Sequence, residues 1–228
     1  MNIEQARFNM IEQQIRPWDV LNPGVLELLA VVKREDFVPP EHRALAFVDT
    51  EVPLPSSTGG QQYMLSPKVE ARILQELAVH KHERVLEIGA GSGHMAALLA
   101  HKAQHVTTLE IDPALASFAA ANLKRAGVMN ASVVNADGAD GAGGLAGDLA
   151  REGPFDVIVL SGSVAEVPEA VLSQLKVGGR LAAIVGAAPV MRAILITRSS
   201  DQGLERRVLF DTVAQRLRGF AEPTKFHF

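Results

Sequence analysis

Cysteine is absent from this 228-residue chain, and tryptophan and tyrosine occur once each. Without cysteine the protein has no disulfide bond and no thiolate metal site. No apolar run reaches the ~18 residues of a membrane-spanning helix, and the first residues lack the pattern of a signal peptide. We therefore expect a cytoplasmic protein with no membrane partner.

A strongly basic surface is also missing. The formal net charge is -4 and the isoelectric point is near 6.0, whereas proteins that bind nucleic acids usually carry a basic face. The lysines and arginines are dispersed, so we expect no nucleic-acid partner. The seven histidines show no spacing typical of a metal site. We predict no metal, and we interpret the histidines, including His94 and His101, as solvated or helix-surface side chains.

The apolar residues make up 47% of the chain and fall in short blocks. From residue 81 onward their spacing predicts strands at 84–88, 105–110, 131–135, 156–161 and 180–186, and helices at 93–101, 113–126 and 166–175. This alternation predicts an α/β fold with a doubly wound, mostly parallel sheet. Two further strands are predicted at 193–199 and 206–213.

The first eighty residues have a different pattern. They predict helices over 2–15, 25–32 and 66–77, an extended segment over 47–55 and a polar loop over 55–63. We therefore divide the chain into an N-terminal helical extension with a loop (1–80) and a main domain (81–228), packed as one compact unit. The sequence does not indicate an oligomeric state.

The most informative stretch is Val85 to Gly93, an apolar strand that leads into three alternate glycines. Such glycines allow a sharp turn and let a ligand approach the backbone. The next strand ends at Glu110, about twenty residues after the first glycine, where an acid can accept hydrogen bonds from ribose hydroxyls. The geometry serves NAD and S-adenosylmethionine alike. The remaining alternative is a glycine-rich turn that binds no ligand.

Two residues favour S-adenosylmethionine. The dinucleotide fingerprint requires a glycine at position 94, where this chain has His94. Glu87 places a carboxylate beside the turn, which suits a cationic sulfonium better than a pyrophosphate. The stretch resembles motif I of class I methyltransferases, and that resemblance implies a Rossmann-like fold with a C-terminal antiparallel hairpin. The residues predicted to bind this cofactor are Glu87, Gly89, Ala90, Gly91, Gly93, Glu110, Ile111, Asp137, Gly138 and Ser161.

Two of these residues have an alternative interpretation. Asp137 follows the third strand, at the sheet edge where ligands bind in open α/β folds, and the resemblance implies that it accepts from the adenine amino group. It could instead cap the turn before Gly138. Ser161 follows the fourth strand and, by the same resemblance, faces the methyl group and substrate, but it too could serve as a cap.

Beyond this motif, the chain resembles the protein-L-isoaspartate O-methyltransferase family over nearly its whole length. The matching segments are Met10 to Arg16, Val25 to Pro39, Phe47 to Pro55, Val85 to Gly93 and Phe155 to Gly186. The resemblance implies an enzyme of protein repair that methylates a carboxylate of isoaspartyl residues in damaged proteins. It also implies that Phe47 to Pro55 leads into a substrate loop within the N-terminal extension.

The substrate loop departs from the family pattern. The family has Gly-Gln-Thr-Ile-Ser, then one further residue, then a proline, and the serine hydroxyl helps to hold the isoaspartyl carboxylate. Aligned on Pro67, this chain has Leu65 at the serine position, and leucine cannot donate a hydrogen bond. Gln62 matches, and Ser66 could replace the serine if the loop shifts by one residue. Gln62 and Ser66 are therefore the candidate catalytic residues.

Methyl transfer to a carboxylate needs alignment more than acid–base chemistry, because the nucleophile is already ionised at neutral pH. Orientation can lower such a barrier by roughly 7–11 kcal/mol. This explains why no Ser-His-Asp or metal constellation is needed. Three hypotheses follow: an isoaspartyl methyltransferase, an enzyme of the same fold with another acceptor such as a small molecule, and a cofactor-binding module without catalysis.

Overall fold

The computed structural model describes residues 2–57, 60–139 and 153–222. The N-terminal extension is helical, as predicted. Helix α1 (Ile3–Met10) continues through a π-helical turn (Ile11–Ile15) and a 3-10 turn (Arg16–Trp18). Helix α2 (Pro23–Val31) begins after Asn22, whose side chain accepts from the amides of Gly24 and Val25. Two 3-10 segments follow, Arg34–Asp36 and Pro40–Phe47.

The segment that precedes the main domain differs in part from the prediction. The extended stretch expected over 47–55 is only the three-residue strand β1 (Val52–Leu54), and the expected loop ends in a second short strand, β2 (Gln62–Met64). The two pair with each other in an antiparallel ribbon. Strands this short are set by their partner and carry too few residues for a periodic signal. Helix α3 (Pro67–Leu77) lies where the sequence placed it.

The main domain contains the predicted doubly wound sheet. Its elements are β3 (Arg84–Ile88), α4 (His94–Ala100), β4 (His105–Glu110), α5 (Pro113–Arg125), β5 (Ala131–Asn135), β6 (Phe155–Val164), α6 (Glu169–Leu172), β7 (Leu175–Ala187), β8 (Val190–Arg198) and β9 (Leu204–Thr212). The strand order is β5-β4-β3-β6-β7-β8-β9. Strands β3 to β7 are parallel to their neighbours, whereas β8 and β9 are antiparallel.

The expected C-terminal hairpin is therefore present at the sheet edge. Helix α6 is much shorter than the segment predicted over 166–175, because Pro168 precedes it and β7 already begins at Leu175. Strands β6 and β7 are correspondingly longer than expected.

The strand order determines where a ligand can bind. From β3 the chain moves to β4 and β5 on one side, and then returns to β6 on the other side of β3. In open α/β sheets, ligands bind outside the carboxyl ends of the strands at such a reversal. The glycine turn after β3 lies at this point.

The N-terminal extension packs directly on the main domain. Ile15, Phe37 and Ile73 belong to the same buried cluster as Leu98 and Leu99 of α4. The opposite face of the sheet forms a second buried cluster with α6. The boundary at residue 80 remains a prediction. Across the described ranges, no helix combines the length and apolar character that crossing a membrane requires.

Candidate functional site

The turn after β3 positions backbone groups at the carboxyl edge of the sheet. Gly89 has a φ of 94°, a left-handed conformation that residues with a Cβ rarely adopt. The amides of Gly89 and Ala90 donate to the carbonyl of Leu109 at 2.8 and 3.1 Å. This ties the turn to the end of β4 and places the glycines beside Glu110.

Glu110 is the central acid of the site. Its side chain is buried with 6% exposure. One carboxylate oxygen accepts from the amide of Gly91 at 2.9 Å and the other from the amide of Asp112 at 3.0 Å. A carboxylate has about four acceptor positions, so these two bonds orient Glu110 and leave it able to accept hydroxyl donors.

A crevice opens over Glu110 and the glycine turn, and we call it the outer crevice. Predicted residues that line it include Gly89, Gly91, Glu110, Ile111, Gly138 and Ser161. Apolar walls come from Leu54, Ile88, Leu115 and Leu217. The loop residues Gln62 and Tyr63 and the C-terminal Arg218 lie at the same opening. This arrangement has apolar surfaces and one convergent acid, as expected of a nucleoside pocket.

A second cavity, the inner crevice, continues from the first beneath the turn. The two share Tyr63, Gly89, Gly91 and Ser161. The inner crevice is also lined by Leu65, Glu70, Glu87, Ala90, Ser92 and Met95. It therefore brings the predicted Glu87 and Ala90 together with the loop residue Leu65, and it contains two buried carboxyl groups.

Glu87 is a buried carboxyl group of the inner crevice whose pKa is strongly raised. It is completely buried, and it accepts hydrogen bonds from Ser161 Oγ at 2.6 Å and from Thr108 Oγ1 at 2.7 Å. Burial outweighs these bonds and raises its pKa to about 8, with a further contribution from the charges of Glu70 and Glu110. A cation bound in the inner crevice would favour the ionised form.

Arg34, Glu70 and His94 form a buried cluster behind the inner crevice. Arg34 pairs with the carboxylate of Glu70, and His94 Nδ1 lies 3.0 Å from the same carboxylate. Burial opposes ionisation of Glu70, but the charges of His94 and Arg34 lower its pKa. The interpretation of His94 as a solvated or helix-surface histidine was wrong, because the first turn of α4 faces α3 and leaves this side chain 1% exposed.

The same cluster fixes the segment that contains Leu65. Arg34 donates from its second terminal nitrogen to the carbonyl of Leu65 at 2.6 Å. The side chain of Leu65 is buried and lines the inner crevice. Position 65 is thus held against the predicted cofactor site by an arginine of the N-terminal extension.

Asp112 holds the other end of the loop. Its carboxylate accepts from Ser56 Oγ at 2.7 Å, from Ser57 Oγ at 2.7 Å and from the Ser57 amide at 3.0 Å. It also caps α5 through the amide of Ala114. Burial opposes ionisation, but the hydrogen bonds from Ser57 and Ser56 outweigh it and hold the pKa of Asp112 well below its ordinary range. Ser56 and Ser57, which follow β1, are therefore tied to the start of α5.

Three predicted residues have other local roles in the structure. Asp137 is exposed, and its carboxylate accepts from the amide of Ala139 at 2.9 Å and lies against Gly219. Gly93 packs closely on Ala119 of α5. Ser66 precedes α3 and is not among the residues that line either crevice. Direct cofactor or substrate roles for these three remain predictions.

The residues that sequence reasoning did not identify come from distant parts of the chain. Leu217 and Arg218 lie in a tail after β9, which has neither a periodic pattern nor a motif. Arg34 lies within a segment that carried the family resemblance, but nothing local indicated its contact with Leu65.

Comparison with known proteins identifies related chains. A family model described as "Protein-L-isoaspartate(D-aspartate) O-methyltransferase (PCMT)" matches residues 5–214, so the match ends before the tail residues 215–222. A protein-L-isoaspartate O-methyltransferase of Koribacter versatilis is 34% identical over 90% of this chain and 87% of its own. One from Rhodopseudomonas palustris is 37% identical over 89% and 88%, respectively.

The fold also agrees with that of a solved structure. A Plasmodium falciparum protein described as a protein-L-isoaspartate O-methyltransferase, solved in complex with S-adenosyl-L-homocysteine, superposes with a TM-score of 0.76. The comparison covers 93% of this chain and 98% of the other at 20% identity. It supports the Rossmann-like arrangement of the sheet and the position of the antiparallel hairpin.

Proposed function

The chain belongs to the protein-L-isoaspartate(D-aspartate) O-methyltransferase family, and we propose that it methylates the free carboxylate of isoaspartyl residues in damaged proteins. It is an S-adenosylmethionine-dependent methyltransferase of protein repair. The observation that carries this function is the placement of buried Glu110 beside the glycine turn, at the carboxyl edge where the strand order reverses. A cytoplasmic location remains a prediction from the sequence.

The crevice fits the methyl donor. Glu110 would accept hydrogen bonds from the ribose hydroxyls, while Ile111 and Gly138 line the part that suits the base. Gly138 has no room for a side chain, since a Cβ there would lie 2.4 Å from Ile88. Glu87 and Glu70 place two carboxyl groups in the inner crevice, which favours a cationic ligand. Asp137 is proposed to contact the adenine amino group.

The protein's task is to align the reactants and exclude water. When bound, S-adenosylmethionine supplies an electrophilic methyl group. The acceptor carboxylate is already ionised, so no side chain has to remove a proton. Gln62 and Tyr63 line the outer crevice, and the fixed Leu65 lines the inner one. A crevice walled in this way helps to hold reacting groups in line and to keep water out.

A changed acceptor is the second candidate function, and Leu65 favours it. This side chain lines the inner crevice at the position where the family's serine would donate to the acceptor. Transfer of a labelled methyl group to an isoaspartyl peptide, compared with the matching aspartyl peptide, separates the two candidates. Transfer to the isoaspartyl peptide alone supports repair, whereas calorimetric binding of S-adenosylmethionine without that transfer favours the changed acceptor.

Replacing Leu65 by serine is expected to increase isoaspartyl methylation. A hydrogen bond to a charged group contributes about 1.5–3 kcal/mol, so kcat/KM for the isoaspartyl peptide should rise by about 10- to 100-fold. The matched control is Leu65→Ala, which creates the same space without a hydroxyl. A serine variant no more active than the alanine variant would show that position 65 does not contact the acceptor.

The affinity for S-adenosylmethionine is expected to rise with pH toward about 8 and then to level off. Glu87 in the free protein is largely protonated below its pKa of about 8. A bound sulfonium favours the carboxylate, so binding releases a proton and tightens by up to about tenfold per pH unit. The affinity for S-adenosyl-L-homocysteine, whose sulfur is uncharged, should rise less steeply with pH.

Calorimetry with both ligands between pH 6 and 8.5 measures this difference. The two ligands share their amino and carboxylate groups, so the comparison isolates the charge on sulfur. Glu87→Gln should remove the difference between the two slopes. Equal slopes for the two ligands in the wild-type protein would exclude a coupling between Glu87 and the sulfonium.

A further inference from the structure

The acceptor presents an electrostatic difficulty in this crevice. Glu110 lines the outer part, and Glu70 and Glu87 line the inner part. A carboxylate acceptor that enters beside these carboxyl groups loses water and meets the charge of Glu110, together with that of Glu87 once a bound sulfonium has favoured its ionised form. Leu65 supplies no hydrogen-bond donor to offset this. A cationic side chain in the crevice would offset both costs for an anionic acceptor.

Arg218 is the cationic side chain at this site. Among the described residues that line the two crevices, it is the one with a positive charge. Its side chain is 23% exposed, so it is accessible from the crevice mouth. It lies in the same opening as Gln62 and Tyr63 of the substrate loop.

The tail that carries Arg218 is firmly positioned. The Ser163 amide donates to the carbonyl of Gln215 at 2.8 Å, and the Leu217 amide donates to the carbonyl of Ser163 at 2.8 Å. Leu217 packs into space left by two glycines: a Cβ at Gly89 or at Gly162 would lie 2.7 or 2.8 Å from its side chain. The tail is thus anchored on β6 and on the glycine turn itself, immediately before Arg218.

The contact of Arg218 with Asp112 is compatible with the binding of a second carboxylate by the same guanidinium. Its terminal nitrogen lies 3.3 Å from Asp112 Oδ2, which is longer than the 2.7–2.9 Å of a strong charge-assisted bond. Asp112 also accepts from Ser56, Ser57 and Ala114. The Asp112 carboxylate therefore does not depend on Arg218 alone. A guanidinium has five N–H donors, so Arg218 can bind a second carboxylate while it keeps its present contacts.

We propose that Arg218 binds the carboxylate of the methyl acceptor and so takes over the recognition that Leu65 cannot provide. This inference rests on the proposed function, because it requires an anionic acceptor. It makes Arg218 a specificity-determining residue that lies beyond the part of the chain matched by the family model.

The test compares Arg218→Gln, Arg218→Lys and the control Arg216→Gln. Arg216 lies in the same tail, pairs with Glu222 at 2.7 Å and does not line either crevice. We expect Arg218→Gln to lower kcat/KM for an isoaspartyl peptide by about 10- to 100-fold, mainly by raising KM. Arg218→Lys should recover part of this loss, and Arg216→Gln should resemble the wild type.

Two binding measurements separate recognition from a structural effect. Calorimetry should give a dissociation constant for S-adenosylmethionine within about threefold of the wild type in all variants, since each ΔΔG would stay below about 1 kcal/mol. The carboxamide analogue of the peptide, which lacks the negative charge, should bind Arg218→Gln and the wild type equally. A parallel loss of affinity for peptide and analogue would indicate a structural role and overturn the proposal.

The remaining outcomes are distinguishable. If Arg218→Gln weakens the binding of S-adenosylmethionine and leaves the peptide KM unchanged, the guanidinium serves the cofactor and the proposal fails. If the wild type methylates the isoaspartyl peptide and Arg218→Gln does so equally well, only this proposal fails. If the wild type neither binds nor methylates that peptide, the proposed acceptor fails and the role of Arg218 fails with it.

Discussion

Replacement of Glu110 by alanine is expected to eliminate measurable binding of S-adenosylmethionine under conditions where the wild type is saturated. Two ribose hydroxyls would lose a charged acceptor, at about 1.5–3 kcal/mol each. The sum corresponds to a weakening of roughly 10²- to 10⁴-fold. The amides of Gly91 and Asp112 also lose their acceptor, so the glycine turn would be less well ordered for the ligand.

Two substitutions of Glu110 separate the loss of its charge from the loss of its hydrogen-bond acceptors. Glu110→Gln keeps one acceptor oxygen and removes the charge, so its affinity should lie between those of the wild type and Glu110→Ala. Circular dichroism and thermal melting confirm that each variant is folded before calorimetry. Retention of wild-type affinity by a folded Glu110→Ala protein would refute the assignment of Glu110 to the ribose and the cofactor site built around it.

The elements that could be predicted from sequence are those with local causes. The start of α5 is one example: Asp112 accepts from the amide of Ala114 at 2.9 Å, and Pro113 occupies the first turn. Strands β3, β4 and β5 begin and end where their apolar blocks do. The glycine turn combines a positive φ with close packing, and both requirements are visible in the residue type. These features place Glu110 correctly.

The parts that could not be predicted depend on contacts between distant residues. His94 follows a glycine on a helix, and its sequence neighbourhood says nothing about Glu70, which lies 24 residues earlier and meets it in the interior. The contact of Arg34 with Leu65 spans 31 residues. Leu217 reaches the glycine turn only because the tail doubles back along β6. Such contacts are products of topology, and no local pattern encodes them.

Asp137 illustrates an intermediate case. Its position after β5 was correctly inferred, since the third parallel strand ends at the same edge as β3 and β4. The sequence left two roles open for its carboxylate, a contact with adenine and a cap of the turn at Gly138. The structure shows the hydrogen bond from the Ala139 amide that such a cap makes, while the proximity to Gly219 depends on the tail and was not inferred. Sequence position thus predicts the edge at which a side chain lies better than it predicts the direction in which the side chain points.

Replacement of Arg34 by methionine is expected to lower the free energy of unfolding by about 3–5 kcal/mol. Arg34 and Glu70 are both almost completely buried, and removing Arg34 leaves the Glu70 carboxylate in the interior with its contact to His94 but without its arginine partner, a strongly destabilising change. For a chain of this size, about 2–4 °C of melting temperature is lost per kcal/mol. The melting temperature should therefore fall by roughly 6–20 °C.

Two further variants show whether the loss arises from the unpaired charge. Arg43→Met removes an exposed ion pair to Asp36 in the same N-terminal extension, and a surface change of this kind should alter stability by less than about 0.5 kcal/mol. The double variant Arg34→Met with Glu70→Met removes both charges and should recover much of the stability. A double variant no more stable than Arg34→Met would mean that packing, and not charge, dominates this cluster.

The pH dependence provides an independent check on the same cluster. In the wild-type protein the charges of His94 and Arg34 keep the pKa of Glu70 low against the effect of burial, and loss of the arginine charge in Arg34→Met would let burial raise that pKa. The folded variant would then hold a proton that the unfolded chain releases, so its stability should fall as pH rises. The deficit relative to wild type should be smaller at pH 5 than at pH 8. Arg34 also holds the Leu65 carbonyl, so it has a second role in positioning the substrate loop. If the double variant regains stability but its KM for the acceptor stays raised, the folding role of Arg34 is distinct from this positioning role.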